Sequence, residues 1–228
     1  MYRRRVGVGV TIASLFACAS VALAASHAGR LPPETLRGPE NLLLQYPTVS
    51  LASPAQRAAA ARLSRDARAA ARRWPNPRAA KAAGFDSHTV TRRSGDLSVH
   101  YLHAEHRRYS ADRLYLDPRR PEALIYANVP GRPLVLVGMM FAMPREKLGP
   151  TPGGPITRWH THKVCARGNR RGLAPRTDGS CPPGTKARQG SEMLHLWFTN
   201  DLRSTFAIHA PARELGLSGL LPAAYCKL

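Results

Sequence analysis

Apolar residues fall into three regimes along the chain. Val6 to Leu23 is continuously apolar or small, residues 54 to about 73 are alanine-rich with regularly placed arginines, and the chain from Phe85 onward holds short apolar runs between turn residues. The middle regime predicts a helix. Ser53 is a good N-cap, Pro54 suits the first turn, and Trp74-Pro75 stops it near Arg73. A shorter helix follows, capped by Asn76, started by Pro77 and closed after Ala83 by Gly84. Past Phe85, Leu97 to Leu102, Ala123 to Ala127, Pro133 to Met143, Ile156 to Val164, Glu192 to Phe198 and Thr205 to His209 read as strands separated by Gly, Pro, Asp and Asn. Helices followed by six such strands predict an α+β fold, with N-terminal helices and an antiparallel sheet closing toward a barrel or sandwich.

The first apolar run changes where the protein is expected to work. Arg3, Arg4 and Arg5 precede it and Ala22-Leu23-Ala24 ends it with a small-x-small site, so residues 1–24 read as an export signal. A retained anchor, a lipoprotein processed at Cys18 and twin-arginine export are the alternatives. Cleavage after Ala24 leaves 204 residues, and no later stretch reads as a transmembrane helix. Residues 25–52, with Pro32, Pro33, Pro39 and Pro47, read as an extended tether, residues 53–84 as a helical segment packing on the core, and residues 85–228 as a β-rich domain. A secreted or envelope-associated monomer is expected.

Export bears on the cysteines, because thiols outside the cytoplasm tend to pair. Cys165 and Cys181 bracket a basic Gly/Pro-rich loop and are the first-choice bridge, with Cys181–Cys226 and Cys165–Cys226 as the other pairings. Thiolate metal ligation is the rival use, without CxxC spacing to favour it.

The charge is +20, from 34 basic and 14 acidic residues. Of the basic residues 29 are Arg and 5 Lys, in a chain rich in Ala, Gly and Pro, a bias that a GC-rich coding sequence produces without any polyanion partner. Nucleic-acid binding interleaves basic residues with stacking aromatics, and at 7% aromatic this chain does not offer that pattern. What remains is local: Lys163, Arg167, Arg170, Arg171 and Arg176 make the loop after residue 162 strongly basic, suited to an anion or to plain solvation.

That loop follows Trp159-His160-Thr161-His162, whose period-2 spacing in a strand sends both rings to one face. His195, among Leu194, Leu196, Trp197 and Phe198, and His100, before Tyr101, sit in two further apolar runs. Their convergence would supply the nitrogen ligands of a mononuclear zinc, copper, iron or nickel site. His160, His162, His195 and His100 are the expected ligands, with Glu192 and His209 as weaker candidates. Arg158, Lys163, Tyr101 and Trp197 are the expected contacts of a small anionic ligand. The competing reading is of satisfied core or surface histidines. His103 and His106, in an Arg-rich stretch, read as a solvated loop. No GxSxG, P-loop, GxGxxG or HExxH occurs, and the acidic residues show no paired spacing that suggests acid–base work, so no enzyme class is indicated. A binder that uses its basic surface on anionic lipid or cell-wall polymer is the reading from another class.

Several stretches together carry a resemblance: Gly95-Asp96-Leu97-Ser98-Val99-His100-Tyr101, Leu116-Asp117-Pro118-Arg119-Arg120-Pro121-Glu122-Ala123-Leu124-Ile125-Tyr126, Leu136-Val137-Gly138 and Leu194-His195-Leu196-Trp197. Over roughly residues 54–226 the chain resembles a group of uncharacterised exported proteins of actinobacteria. The resemblance implies an exported protein with a shared histidine site, and it implies no reaction. Its most specific stretch encodes a turn, with Asp117-Pro118 starting a bend and Pro121 leading into a strand. The WHTH motif is also similar to the HxH of cupins, but where cupins carry a carboxylate a few residues later, Lys163, Cys165 and the basic loop follow.

Overall fold

The computed structural model describes residues 46–90, 98–103, 106, 114–129, 131–144, 147–161, 163–168 and 180–217. The expected export signal (residues 1–24), residues 25–45 of the expected tether, His162 and Cys226 lie outside them. Helix α1 (Pro54–Ala71) starts in a capping box: Ser53 Oγ accepts from Gln56 N at 3.2 Å, and Gln56 Oε1 accepts from Ser53 N at 2.8 Å. Helix α2 (Pro77–Ala82) is capped by Asn76, whose Oδ1 accepts from Ala79 N at 3.0 Å. Both lie where the sequence predicts them.

The main sheet is antiparallel, in the order β1 (Ser87–Val90), β2 (Ser98–Leu102), β3 (Ala123–Ala127), β4 (Val135–Ala142) and β7 (Met193–Trp197). Strands β5 (Lys163–Ala166) and β6 (Lys186–Gln189) form a separate hairpin-like pair. One face of the main sheet, with Tyr101, Leu124, Tyr126, Met139, Phe141, Leu194 and Leu196, packs on Ala60, Leu63, Ala67 and Ala70 of α1. Alanines let the helix approach closely, and its arginines reach outward or to backbone carbonyls: Arg57 donates to Ala52 O, Arg68 to Thr199 O, and Arg73 to Arg119 O at 3.0 Å. Tyr126 spans the layers by donating its hydroxyl to Trp74 O at 2.9 Å, and burial followed by the neighbouring Tyr101 pushes that phenol well above its ordinary pKa. The opposite face carries Leu102, Ala123, Ile125, Ala127, Val137, Met140, Ala142 and Trp197, packed with Ala207 and partly covered by Tyr46, Ala210, Leu215 and Leu217.

The α+β class and antiparallel pairing match expectation, but the described sheet is open and no closed barrel forms among the described residues. Two predicted strands account for the difference. Within residues 156–164 the chain makes only an isolated bridge, His160 to Met193, before β5 begins at Lys163, because Gly153 O takes the Ile156 N–H in a turn and Trp159 Nε1 turns inward to Pro150 O at 2.8 Å. Residues 205–209 are not a strand either. Asp201 caps a single-turn helix α3 (Leu202–Thr205), with its Oδ1 accepting from Ser204 N at 3.0 Å. The LDPxRPE stretch forms its predicted bend: Asp117 Oδ1 accepts from Arg119 N at 2.9 Å and Asp117 O accepts from Arg120 N at 2.9 Å. Once Pro121 has interrupted the β3 ladder, the buried Glu122 side chain continues it, its Oε2 accepting from Ala142 N at 3.0 Å.

Cys165 and Cys181 are disulfide-bonded and close the basic loop. No described helix is long and apolar enough to cross a membrane.

Candidate functional site

The alternation along β2 and β7 sends His100, His195 and Trp197 to the face away from α1, while Tyr101 goes to the helix side. In the sheet register His100 aligns with Ile125, Ile125 with Gly138 and Gly138 with Trp197. A flat sheet with strands about 4.8 Å apart would hold β2 and β7 roughly 14 Å apart across β3 and β4. The His100 and His195 rings are 5.8 Å apart between centroids, so the sheet curls inward on this face. Two local features permit the curl. The β3–β4 register slips at Ile125/Tyr126, which leaves Val137 as an extra residue and raises the local twist. Gly138 also lets β7 come close, since a Cβ there would meet Leu196 O at 2.7 Å and the Trp197 ring at 3.1 Å.

His160 joins the same face through a mutual backbone pair, His160 N to Met193 O at 2.9 Å and Met193 N to His160 O at 2.8 Å. Its ring is 5.0 Å from that of His195, at an interplanar angle of 65°. His160 and His195 are buried and His100 is half-buried.

The tautomers follow from the acceptors. A carbonyl can only accept, so the 2.6 Å contact of His195 Nδ1 with Ile208 O puts the proton on Nδ1 and the lone pair of the neutral ring on Nε2. His160 Nδ1 contacts Arg158 O at 3.4 Å, a longer bond with the same polarity. Trp197 lies 5.3 Å from His195 and donates Nε1 to Ala207 O at 2.8 Å. The 207–208 carbonyls therefore orient two neighbouring rings.

Arg158 is buried two residues before His160, and burial lowers its pKa below that of a free guanidinium. Its Nη1 donates to Tyr46 O at 2.6 Å, tying the start of the described chain over this face. Trp197 thus lies beside the histidines, and Arg158 meets His160 through its backbone carbonyl. Three other candidates do not: Tyr101 packs edge-on to Tyr126 at 5.3 Å on the helix side; Glu192 precedes β7 and its Oε2 accepts from Gly149 N at 2.8 Å; His209 is solvent-exposed after the turn that replaces the expected strand. His162 and the Lys163 side chain lie outside the described residues. Among the described residues no group of three or more His, Cys, Asp or Glu is arranged to hold a metal.

A second histidine pair stands where a solvated loop was expected. His103 and His106 stack at 3.6 Å, nearly parallel, with Phe85 edge-on to both. His103 Nδ1 accepts from His106 N at 3.3 Å, so its Nε2 carries the proton toward Ala83 O at 3.0 Å, and His106 Nδ1 donates to Pro121 O at 2.8 Å. The pair fastens the end of α2 to the start of β3. Sequence reasoning missed it because the cue, an aromatic after the Gly84 stop, is also what a bare helix end offers.

Comparison with protein-family models, with curated proteins and with solved structures finds no match to this chain.

Proposed function

We propose that the protein works outside the cytoplasm and holds one divalent transition metal, zinc, copper, iron or nickel, on the curled face of its sheet. His195 and His160 are the first ligands, with His100 and His162 completing the set. The observation that carries this reading is the 5.0 Å separation of the His160 and His195 rings, both with Nδ1 facing a carbonyl. Two imidazoles on one tetrahedral ion, with metal–nitrogen bonds of about 2.0–2.1 Å, have centroids about 5 Å apart. A backbone carbonyl on Nδ1 is also the usual way to aim Nε2 at a metal. Arg158, buried two residues before His160, adds a positive charge to this face of the sheet that favours a small anionic ligand on the ion. In this reading the curled sheet is one wall of a half-barrel, the Cys165–Cys181 bridge suits an oxidising compartment, and the likeness to exported actinobacterial proteins is one of kinship.

The test is zinc titration of the mature chain by calorimetry, beside a His160→Ala/His195→Ala variant. One equivalent bound by the wild type and none by the variant is the expected result. Equal binding by both overturns the site.

A second reading has its own support: Arg62 and Arg65 on α1, Arg72 just after it, Arg167 just after β5, and Lys186 and Arg188 on β6 are all exposed. In it the protein attaches to anionic lipid or cell-wall polymer by charge, and attachment weakens steeply as salt rises. Salt-insensitive attachment would rule it out.

A further inference from the structure

On the helix side of the molecule, away from the histidines, α1 and the turn leading into α3 enclose an open groove of about 300 Å³. Its walls are Ser64, Arg65 and Arg68 from α1 and Thr199, Asn200, Asp201 and Thr205 from the facing turn. We infer that this groove is a binding site for a small ligand bearing an oxyanion, a phosphate monoester or a carboxylate, clamped by Arg65 and Arg68.

The two guanidinium groups stand one helical turn apart on α1, the spacing that puts side chains on a common face. Arg68 is half-buried under Thr199 O, its guanidinium 5.6 Å from the Phe198 ring centroid, and burial lowers its pKa without bringing it a carboxylate partner among the described residues. Arg65 is exposed at the mouth and makes no hydrogen bond or ion pair among the described residues. The one carboxylate in the wall is turned to its own helix: Asp201 accepts from Ser204 N and from Ser204 Oγ. Two cations against one committed anion leave the groove net positive.

The floor is preorganised. The buried hydroxyls of Thr199, Ser204 and Thr205 are linked, Ser204 Oγ to Thr199 Oγ1 at 2.8 Å and Thr199 Oγ1 to Thr205 Oγ1 at 3.0 Å, which fixes the turn opposite the arginines. The carboxamide of Asn200, exposed at the rim, adds donors for the ester or sugar part of a ligand. Arginine forks match planar oxyanions bidentately, which sets this class above neutral ligands.

The experiment uses the mature chain, its Arg65→Ala variant and Arg68→Gln. Glycerol 1-phosphate and glucuronate are the soluble probes, and phosphatidate vesicles present a phosphate monoester as a lipid headgroup. Since Arg65 makes no structural contact, Arg65→Ala keeps the wild-type melting temperature and is expected to weaken binding about tenfold, the loss of one charge-assisted contact. Arg68→Gln is expected to weaken it further. Binding of a soluble probe identifies a free or polymer-borne anion, and binding of vesicles alone identifies a headgroup; both support the groove if Arg65→Ala weakens them. No binding of any probe, or binding that Arg65→Ala leaves unchanged, overturns it. Zinc binding at the histidines is independent of every outcome.

Discussion

The imidazoles of His100 and His195 approach to 5.8 Å across a sheet in which β3 and β4 lie between their strands. The contact depends on Gly138, at the register position between Ile125 and Trp197. Gly138→Ala should therefore open the curl as well as strain the sheet. An added methyl group 2.7 Å from Leu196 O is expected to cost about 1–3 kcal/mol in urea unfolding. Zinc affinity should fall with it, and an unchanged affinity in a folded Gly138→Ala protein would detach the curl from the site.

Gly84 has a φ of +92°, and a Cβ there would come within 2.5 Å of His103 Nε2. Gly84→Ala pays for both the left-handed backbone and the displaced imidazole, for an expected loss of about 2–4 kcal/mol. Thermal or urea unfolding checks it. A loss under half a kilocalorie would mean the stacked pair does not fasten α2.

Asp201 should give the protein an acid-sensitive element. Burial raises its carboxyl, but hydrogen bonds from the Ser204 side chain and backbone and from Arg203 N, with the Arg203 charge, outweigh that and leave it below the ordinary value. A depressed folded pKa means the ionised cap stabilises above the unfolded value of about 3.9, and that contribution is lost as pH falls through the folded value. Asp201→Ala should cost about 1 kcal/mol at pH 7. Asp201→Asn, an equally good cap, should keep most of that stability and flatten the slope below pH 4. A slope unchanged in Asp201→Asn would assign the acid sensitivity to other groups.

Reduction of the disulfide frees a loop whose ends are 16 residues apart. Closing a loop of that size contributes about 3 kcal/mol by chain entropy. Cys165→Ser/Cys181→Ser should show that loss in denaturant unfolding while keeping zinc binding. If zinc binding disappears with it in a folded protein, the bridge also positions the 160–162 segment.

Much of the fold was legible because it rests on local signals. Ser53, Pro54, Asn76 and Pro77 mark helix starts by their own chemistry, the apolar run Ala123 to Ala127 becomes a strand as read, and the run read as Glu192 to Phe198 becomes one over Met193–Trp197. The failures came where a side chain competes with the ladder. Asp201 captures the chain for α3, and the carbonyls of Ala207 and Ile208 go to Trp197 and His195 rather than to a neighbouring strand. Period-2 spacing put His160 and His162 on one face and left His100 and His195 to converge with them from other strands, and the register slip at Val137 beside that convergence depends on contacts distant in sequence. The groove by Arg65 and Arg68 was hidden for the same reason, since its two walls, one on α1 and one from Thr199 to Thr205, lie far apart in sequence.

The most direct measurement is elemental analysis of the protein expressed in full length and purified without a metal-affinity step. The histidine site predicts one zinc, copper, iron or nickel ion per chain, absent from the His160→Ala/His195→Ala protein recovered in the same way. Metal-free wild-type protein, or equal metal in both, would contradict it.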